Sequence, residues 1–332
     1  MEFRVHWLEG DTSFGVAPGE SVLDAALRQQ VALPHDCRFG GCGSCRVQLR
    51  QGSVQYEEMP FALTPEDAAR GEALACQARP CSDLVLSVAP PLQCSPPTRM
   101  RAIVERVDAL ASDVAHLQLR LADAPDLVYA PGQYMNVLLG EAGHRSFSMA
   151  SKPDGGRVDF HVRRIAGGRF TEQALARLAP GDALDVEVPL GQFRYHREDE
   201  RPIAMLATGT GLAPLKAMLE ALMDDDDCPP VSLYWGMRDA AGLYLHQQIP
   251  QWTERLYEFR YVPVLSRPGA GWSGRTGHVQ QALLQDLPDL SEHAVYLCGS
   301  PAMVADARSA VLAHGADPAH VYADAFTFQE QT

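Results

Sequence analysis

The sequence predicts a multidomain chain: a small α+β segment, an antiparallel β-barrel, and an α/β segment built on a parallel sheet. Three observations predict it. A stretch with four prolines, Pro90-Pro91-Leu92-Gln93-Cys94-Ser95-Pro96-Pro97-Thr98, reads as a semi-rigid linker and cuts off the first segment. The middle of the chain shows alternating apolar and polar strands separated by turn residues. The last part switches to short apolar strands between helical stretches, the pattern of a sheet covered on both faces. The boundaries fall at 1–89, 90–98 for the linker, 99–196 and 197–332. A length of 332 residues agrees with two or three domains.

The first segment reads as strand, turn, strand, helix, loop, strand. Phe3, Val5 and Trp7 alternate with Arg4 and His6, as in a half-buried strand. Pro18-Gly19-Glu20-Ser21 turns into a helix with Ser21 as N-cap and Asp24 three residues on. That helix carries Val22, Leu23, Ala26 and Leu27 on one face. After Leu33-Pro34-His35-Asp36 comes Cys37-Arg-Phe-Gly-Gly-Cys42-Gly-Ser-Cys45, and much later Leu74-Ala75-Cys76. This is the C-x4-C-x2-C…C spacing of a plant-type [2Fe–2S] cluster loop. A cluster iron takes two thiolates, so a tight loop supplies three ligands and a distant cysteine closes the cage. Gly40, Gly41 and Gly43 let the backbone come close and aim its N–H groups at the sulfurs. A zinc site is the first competing reading, but its usual two C-x2-C pairs are not there, Cys42–Cys45 standing alone. Disulfides are the second.

Composition narrows the rest. The chain is 46% hydrophobic and 21% charged, an ordinary globular balance. No run approaches the ~18 apolar residues of a bilayer span. The start, Met1-Glu2-Phe3-Arg4-Val5-His6-Trp7, lacks the apolar stretch of a signal peptide, so a cytoplasmic protein without membrane contact is expected. Eight cysteines in a reducing compartment favour metal ligation over disulfides. A net charge of −14 argues against nucleic acid as a partner. Asp224 to Asp227 reads as a solvated acidic loop. Cys81, Cys94 and Cys228 receive no role.

In the barrel segment, Leu117-Gln-Leu-Arg-Leu121 and Val158-Asp-Phe-His-Val162 alternate as strands. Arg145-Ser146-Phe147-Ser148 has the R-x-Y/F-S form: a guanidinium for a flavin's phosphates, an aromatic for its ring, a hydroxyl for its N5. Gly167-Gly168-Arg169-Phe170-Thr171 then opens a helix expected over 171–178, and a glycine turn into a helix start suits an anion. An ordinary N-cap at Thr171 is the plainer reading. In the last segment, apolar strands are expected at 203–207, 231–235, 260–264 and 294–298. Thr208-Gly209-Thr210-Gly211-Leu212-Ala213-Pro214 follows the first of them. It lacks the third glycine of G-x-G-x-x-G, yet its N–H groups can cradle a pyrophosphate. Cys298-Gly299 stands at a later strand end, where a nicotinamide sits in such sheets. A lone buried cysteine is the plainer reading there.

In this order, across the whole chain, these pieces resemble the electron-transfer reductases of bacterial aromatic-ring oxygenases. The benzoate and terephthalate dioxygenase reductases and the phenol and toluene monooxygenase reductases share the layout, as does a deoxysugar-pathway reductase. The resemblance implies a β-grasp [2Fe–2S] ferredoxin, an FAD-binding barrel and an NAD(P)-binding domain. It implies electron flow from NAD(P)H through FAD and the cluster to a separate terminal oxygenase, the chain itself being a monomer. By position it implies cluster ligation by Cys37, Cys42, Cys45 and Cys76. It implies FAD contacts from Arg145, Phe147, Ser148, Gly168 and Thr171, with His161 and Arg163 on the adenosine-phosphate side. Gly209, Thr210, Gly211 and Pro214 would hold the nicotinamide dinucleotide, with Cys298 and Gly299 near its ring. Phe326, in Ala323-Asp324-Ala325-Phe326, would cover the flavin's other face, with core packing as its plainer role. Ser148, Cys298 and Phe326 would then border the reacting atoms. For the coenzyme ribose, Arg238 and Asp239 compete with Ser266, Arg267 and Arg275, which match a 2′-phosphate grip. Gly277 replaces a stacking tyrosine, and NADH is expected over NADPH. The alternatives within the fold are reductases of a diiron monooxygenase or of a CDP-6-deoxy-glucoseen type dehydrase. A flavohaemoprotein-like redox sensor would need a globin or DNA-binding segment. A simple carrier ferredoxin would leave the flavin and nucleotide motifs unused.

Overall fold

The structure, a computed structural model, describes residues 2–36, 38–88 and 97–326. The chain divides into two compact units. One is Met1–Gln93 with Ser300–Ala305 and Ala323–Thr332; the other is Cys94–Gly299 with Asp306–Tyr322. The division is not linear in sequence, which no composition shift announces. Most of the expected linker lies outside the described residues.

In the first unit a five-stranded sheet runs in the order Thr12–Val16, Phe3–Trp7, Leu84–Ser87, Arg46–Gln51, Glu72–Leu74. Phe3–Trp7 pairs antiparallel with Thr12–Val16 and parallel with Leu84–Ser87. The helix Val22–Arg28 forms where the cap predicted it: the Ser21 hydroxyl accepts from the Asp24 N–H at 3.1 Å. Its buried residues are Val22, Leu23, Ala25 and Ala26, with Leu27 only partly covered. The core adds Phe14, Leu33, Val47, Leu74 and Leu86. A short helix, Pro65–Ala69, carries a full Thr64–Asp67 capping box that the sequence reading did not pick out.

The second unit begins with a six-stranded antiparallel sheet ordered His144–Ser148, Tyr134–Leu138, Ala183–Leu190, Thr98–Ala111, Val114–Arg120, Arg157–Arg163. Its two end strands lie against each other, which curls the sheet into a barrel. Phe160, Leu117, Leu119 and Met135 fill its core. The expected helix over 171–178 is corrected. The segment begins earlier, at Gly168, with a wide turn over Arg169–Ala174 followed by a tight one over Leu175–Arg177. Both Glu172 N–H and Gln173 N–H reach the Gly168 carbonyl, at 3.0 and 3.3 Å, which widens the turn. Gly168, not Thr171, is therefore the cap.

The last sheet is ordered Arg275–Thr276, Arg260–Leu265, Val231–Met237, Ile203–Thr208, Ala294–Gly299, Val321–Ala325. The pairings from Arg275–Thr276 through Ala294–Gly299 are all parallel. The chain builds outward from Ile203–Thr208 and then returns to its other side. That reversal makes the carboxyl ends of Ile203–Thr208 and Ala294–Gly299 a topological switch point. Asp224 to Asp227 is a loop as expected, but it is ion-paired and not merely solvated: Arg197 meets Asp225 and Asp227 at 3.0 Å each, and Lys152 and Arg255 meet Asp224. Among the described residues no helix is long and apolar enough to cross a membrane.

Candidate functional site

Three thiols come together at the end of the first sheet. Cys42, Cys45 and Cys76 are buried, and Cys37 lies outside the described residues. The Cys45 and Cys76 sulfurs hydrogen-bond to one another. That bond, against the opposing effect of burial, holds the Cys76 thiol below its ordinary range, and the Gly40 N–H and Gln77 side chain help. The loop is close-fitting. Gly40 has φ +81°, and a Cβ there would lie 2.7 Å from Pro60 Cβ. The Ala62 N–H donates to the Gly40 carbonyl at 2.9 Å. Arg46, next to Cys45, donates to the Ala62 carbonyl and pairs with Glu72 and with Asp67, the latter at 3.2 Å. Arg46 thus braces the loop that backs the cysteines, a role without any signal in residue spacing. Buried soft thiols approached by backbone N–H groups fit a [2Fe–2S] cluster. Among the described residues, no three His, Cys, Asp or Glu side chains gather around a point that suits a single ion. Phe39 on the loop and Met59 and Phe61 near it stand exposed, Phe61 by 70%.

The flavin motif occupies the edge strand His144–Ser148. Its register sets Ser148 opposite Tyr134 and Phe147 opposite Met135. Phe147 packs against Phe170 with ring centroids 5.2 Å apart, so the aromatic of the motif meets the glycine turn. Arg145 Nη1 donates to the His144 carbonyl at 2.7 Å. Thr171 is buried, and its hydroxyl accepts from the Ile165 N–H at 3.3 Å. A Cβ at residue 168 would lie 2.2 Å from Thr171 Oγ1 and 2.9 Å from the Ile165 carbonyl. Only glycine allows this approach of backbone to Thr171, which fits a cradle for a flavin's phosphates.

His161 and Arg163 share the barrel strand Arg157–Arg163. His161 is buried, with Nδ1 3.2 Å from the Tyr244 hydroxyl. Burial first, then the charges of Lys216 and His116, hold its pKa down to about 3. Arg163 is tied to Asp113 at 3.0 Å, and its Nη1 lies 3.6 Å from where a Cβ on Gly209 would stand. Its guanidinium therefore borders the nucleotide turn.

That turn, Gly209–Gly211, opens the helix Leu212–Leu222, in which Pro214 is buried. A Cβ on residue 211 would lie 2.3 Å from the Cys298 carbonyl. The glycine thus allows two strand ends to touch at the switch point, with Thr210 between the two glycines and Gly299 just beyond the fully buried Cys298. Trp235 Nε1 donates to the Gly209 carbonyl at 3.0 Å. The ribose candidates form a second group. The Ser266 N–H donates to the Met237 carbonyl at 3.0 Å and the Arg267 N–H to the Arg238 carbonyl at 2.8 Å. The exposed Arg238, Asp239, Ser266 and Arg267 are thereby gathered on two joined loops. Asp239 accepts from the Gly242 N–H at 3.1 Å and so caps its own turn. Arg275 is separate in kind: Asp286 and Gln285 hold its guanidinium. Phe326 is half-buried just past Val321–Ala325. Sequence reasoning missed Tyr244, Trp235 and Asp286, which sit in unremarkable apolar or helical stretches.

Residues 5–81 match the 2Fe-2S iron-sulfur cluster binding domain, 101–195 the oxidoreductase FAD-binding domain, and 205–309 the oxidoreductase NAD-binding domain. The chain is 38% identical over 310 residues to the CDP-6-deoxy-L-threo-D-glycero-4-hexulose-3-dehydrase reductase of Yersinia pestis, covering 92% of this chain and 93% of that one. It is 34% identical to terephthalate 1,2-dioxygenase reductase component 2 of Comamonas, covering 98% of each. The crystal structure of an Amycolatopsis cytochrome P450 reductase superposes with a TM-score of 0.73 at 33% identity, covering 98% of both chains. The chain belongs to the family of iron–sulfur flavoprotein reductases that carry a [2Fe–2S] domain, an FAD domain and an NAD domain in one polypeptide.

Proposed function

We propose that this reductase takes electrons from NADH and delivers them to a separate oxygenase component in the breakdown of aromatic compounds. The observation that carries the reading is the whole-length match to reductase components, three domains in one order. When bound, FAD accepts a hydride and releases electrons singly, and the cluster carries one at a time. The residues' part is to bind and orient. Arg145, Phe147, Ser148, Gly168 and Thr171 hold the flavin. Gly209, Thr210, Gly211 and Pro214 hold the dinucleotide, and Cys298 and Gly299 close the switch point behind the nicotinamide. Arg163 serves the nicotinamide coenzyme's phosphates and not the flavin's, because its Nη1 borders Gly209. Cys37, Cys42, Cys45 and Cys76 ligate the cluster, and Phe326 covers the flavin. The exposed Phe39, Met59 and Phe61 offer an acceptor protein an apolar contact beside the cluster loop.

NADH is favoured because Asp286 already claims Arg275, one of the cations a 2′-phosphate would need. Residue 277 also lacks an aromatic to stack on adenine. We read the protein as a cytoplasmic monomer.

A second reading, the reductase of a deoxysugar dehydrase, is favoured by the 38% identity to the Yersinia relative. NADH-driven turnover decides between them. The protein is paired in turn with a purified terephthalate dioxygenase oxygenase component and with a CDP-hexulose 3-dehydrase. Coupled product formation is expected with the oxygenase. Turnover with the dehydrase alone would establish the second reading.

A further inference from the structure

Tyr244 belongs to neither the barrel nor the glycine turn, yet its side chain links a barrel strand to that turn through His161 and Trp235. Its ring meets Trp235 edge to face, centroids 5.0 Å apart, and Trp235 Nε1 holds the Gly209 carbonyl at 3.0 Å. On its other side the ring meets His161 edge to face at 5.2 Å, and the hydroxyl lies 3.2 Å from His161 Nδ1. His161 projects from the barrel strand Arg157–Arg163, where His116 lies against it at 6.2 Å. A side-chain path therefore runs from the barrel to the carbonyl that starts the nucleotide turn. A phenylalanine would make both ring contacts equally well. The hydroxyl is the distinguishing group, and a buried hydroxyl stays only where it finds a partner. Its partner is a neutral imidazole, which offers one donor and one acceptor.

A second tie fixes the same turn from the other side. Lys216, on the helix the turn opens, donates to the Ala150 carbonyl at 2.8 Å, two residues past the flavin motif. Glu220 of that helix accepts from the Lys152 N–H at 3.2 Å.

We propose that Tyr244 and His161 are positioning residues: their hydrogen bond holds the Gly209–Gly211 turn in register with the barrel, and so aligns nicotinamide with flavin. The proposal rests on the coenzyme and flavin reading given above. Alignment matters because a misplacement of about 1 Å can cost about a hundredfold in rate.

The test is anaerobic stopped-flow reduction of the FAD-loaded protein by NADH, with the long-wavelength charge-transfer absorbance of reduced flavin and NAD+ as a second readout. Tyr244→Phe is expected to slow flavin reduction about tenfold, a part of that misalignment range. It should shift the NADH dissociation constant less than about twofold and weaken the charge-transfer band. His161→Gln keeps a hydrogen-bonding atom and should restore most of the rate and band, whereas His161→Leu should match Tyr244→Phe. The double variant Tyr244→Phe/His161→Leu should be no slower than either single one, since both break one contact. A wild-type rate and band in Tyr244→Phe would overturn the proposal. So would a lower thermal midpoint with unchanged rate and band, the mark of plain packing. Failure of both NADH and NADPH to reduce the unmutated protein would bring down the functional reading itself.

Discussion

The unit that holds Cys42, Cys45 and Cys76 and the unit that holds the flavin and nucleotide motifs concentrate their chemistry differently. In the first, two of those cysteines come from a loop three residues apart, and local packing shapes the loop: Pro60 against Gly40, Ala62 N–H on the Gly40 carbonyl, Arg46 on the Ala62 carbonyl. In the second, Arg145–Ser148, Gly168–Thr171, Gly209–Gly211 and Cys298 come from four separate places, and the sheets bring them into order. A site made in one loop writes its chemistry into residue spacing. A site made at strand ends writes it into topology, and each contributing residue looks ordinary alone.

The contrast breaks most visibly at Cys76. Cys76→Ser should abolish the iron–sulfur absorbance and leave flavin bound, because no flavin-motif residue lies in the cluster loop. NADH-dependent ferricyanide reduction should survive, since flavin serves that acceptor directly, and cytochrome c reduction should fall. Full iron and sulfide in the variant would show that the ligand set is wrong. A parallel loss of flavin would show that the two sites are not separable.

Arg145→Ala probes the dispersed site. The lost charge-assisted bond to flavin phosphates is worth about 1.5–3 kcal/mol, roughly ten- to a hundredfold in FAD affinity. Phe147 and Ser148 on the same strand and Gly168 and Thr171 on the glycine turn remain, so binding should weaken and not vanish. FAD content after purification and its dissociation constant measure this, and unchanged occupancy would sink the assignment.

The same contrast explains what the sequence disclosed. Strand–helix alternation located the strands Ile203–Thr208, Val231–Met237, Arg260–Leu265 and Ala294–Gly299, because fully buried parallel strands are nearly continuous apolar runs. Ser21 announced its helix through a local hydrogen bond. The turn at Gly168 was misplaced because a widened turn has no periodic signature. The resemblance set His161 and Arg163 on the flavin's adenosine-phosphate side, and strand alternation could not show Tyr244 and Asp113 against them. Tyr244 and Asp286 were invisible for the same reason: their partners, His161 and Arg275, are joined to them only by folding. The tie of Arg46 to Asp67 and Glu72 likewise depends on helix and strand meeting.

The buried seam of the second unit should also show in pH dependence. His161 has a folded pKa of about 3 against an ordinary value of 6.5. Its folded pKa is depressed, so its contribution is fully present above about pH 6.5 and is lost as pH falls toward 3. The unfolded chain takes up the proton first. Linkage puts the loss between pH 7 and pH 5 at about 2 kcal/mol. Urea unfolding of the holoprotein at those two pH values should register it, and His161→Gln should flatten the slope by a similar amount. An unchanged slope would mean the imidazole is solvated or paired in the folded protein.

The smallest effect concerns the ribose loops. Arg238 and Arg267 are exposed on two loops joined by backbone bonds, while Arg275 is held by Asp286. A 2′-phosphate grip needs several cations converging on one point, and here one of the three is committed elsewhere. Wild-type kcat/KM should therefore favour NADH. Arg267→Ala should change NADH kcat/KM by no more than about twofold, the scale of an exposed substitution within about 0.5 kcal/mol. Activity with NADPH should drop further, since an exposed arginine still attracts a phosphate dianion. Asp286→Asn sharpens the point, because loosening Arg275 should raise relative NADPH use if that guanidinium can reach the ribose. A wild-type preference for NADPH that Arg267→Ala erases would reverse the assignment. The two loops would then be a working phosphate clamp despite the engagement of Arg275, and coenzyme choice would rest on exposed loop charge and not on the ion pairs beneath it.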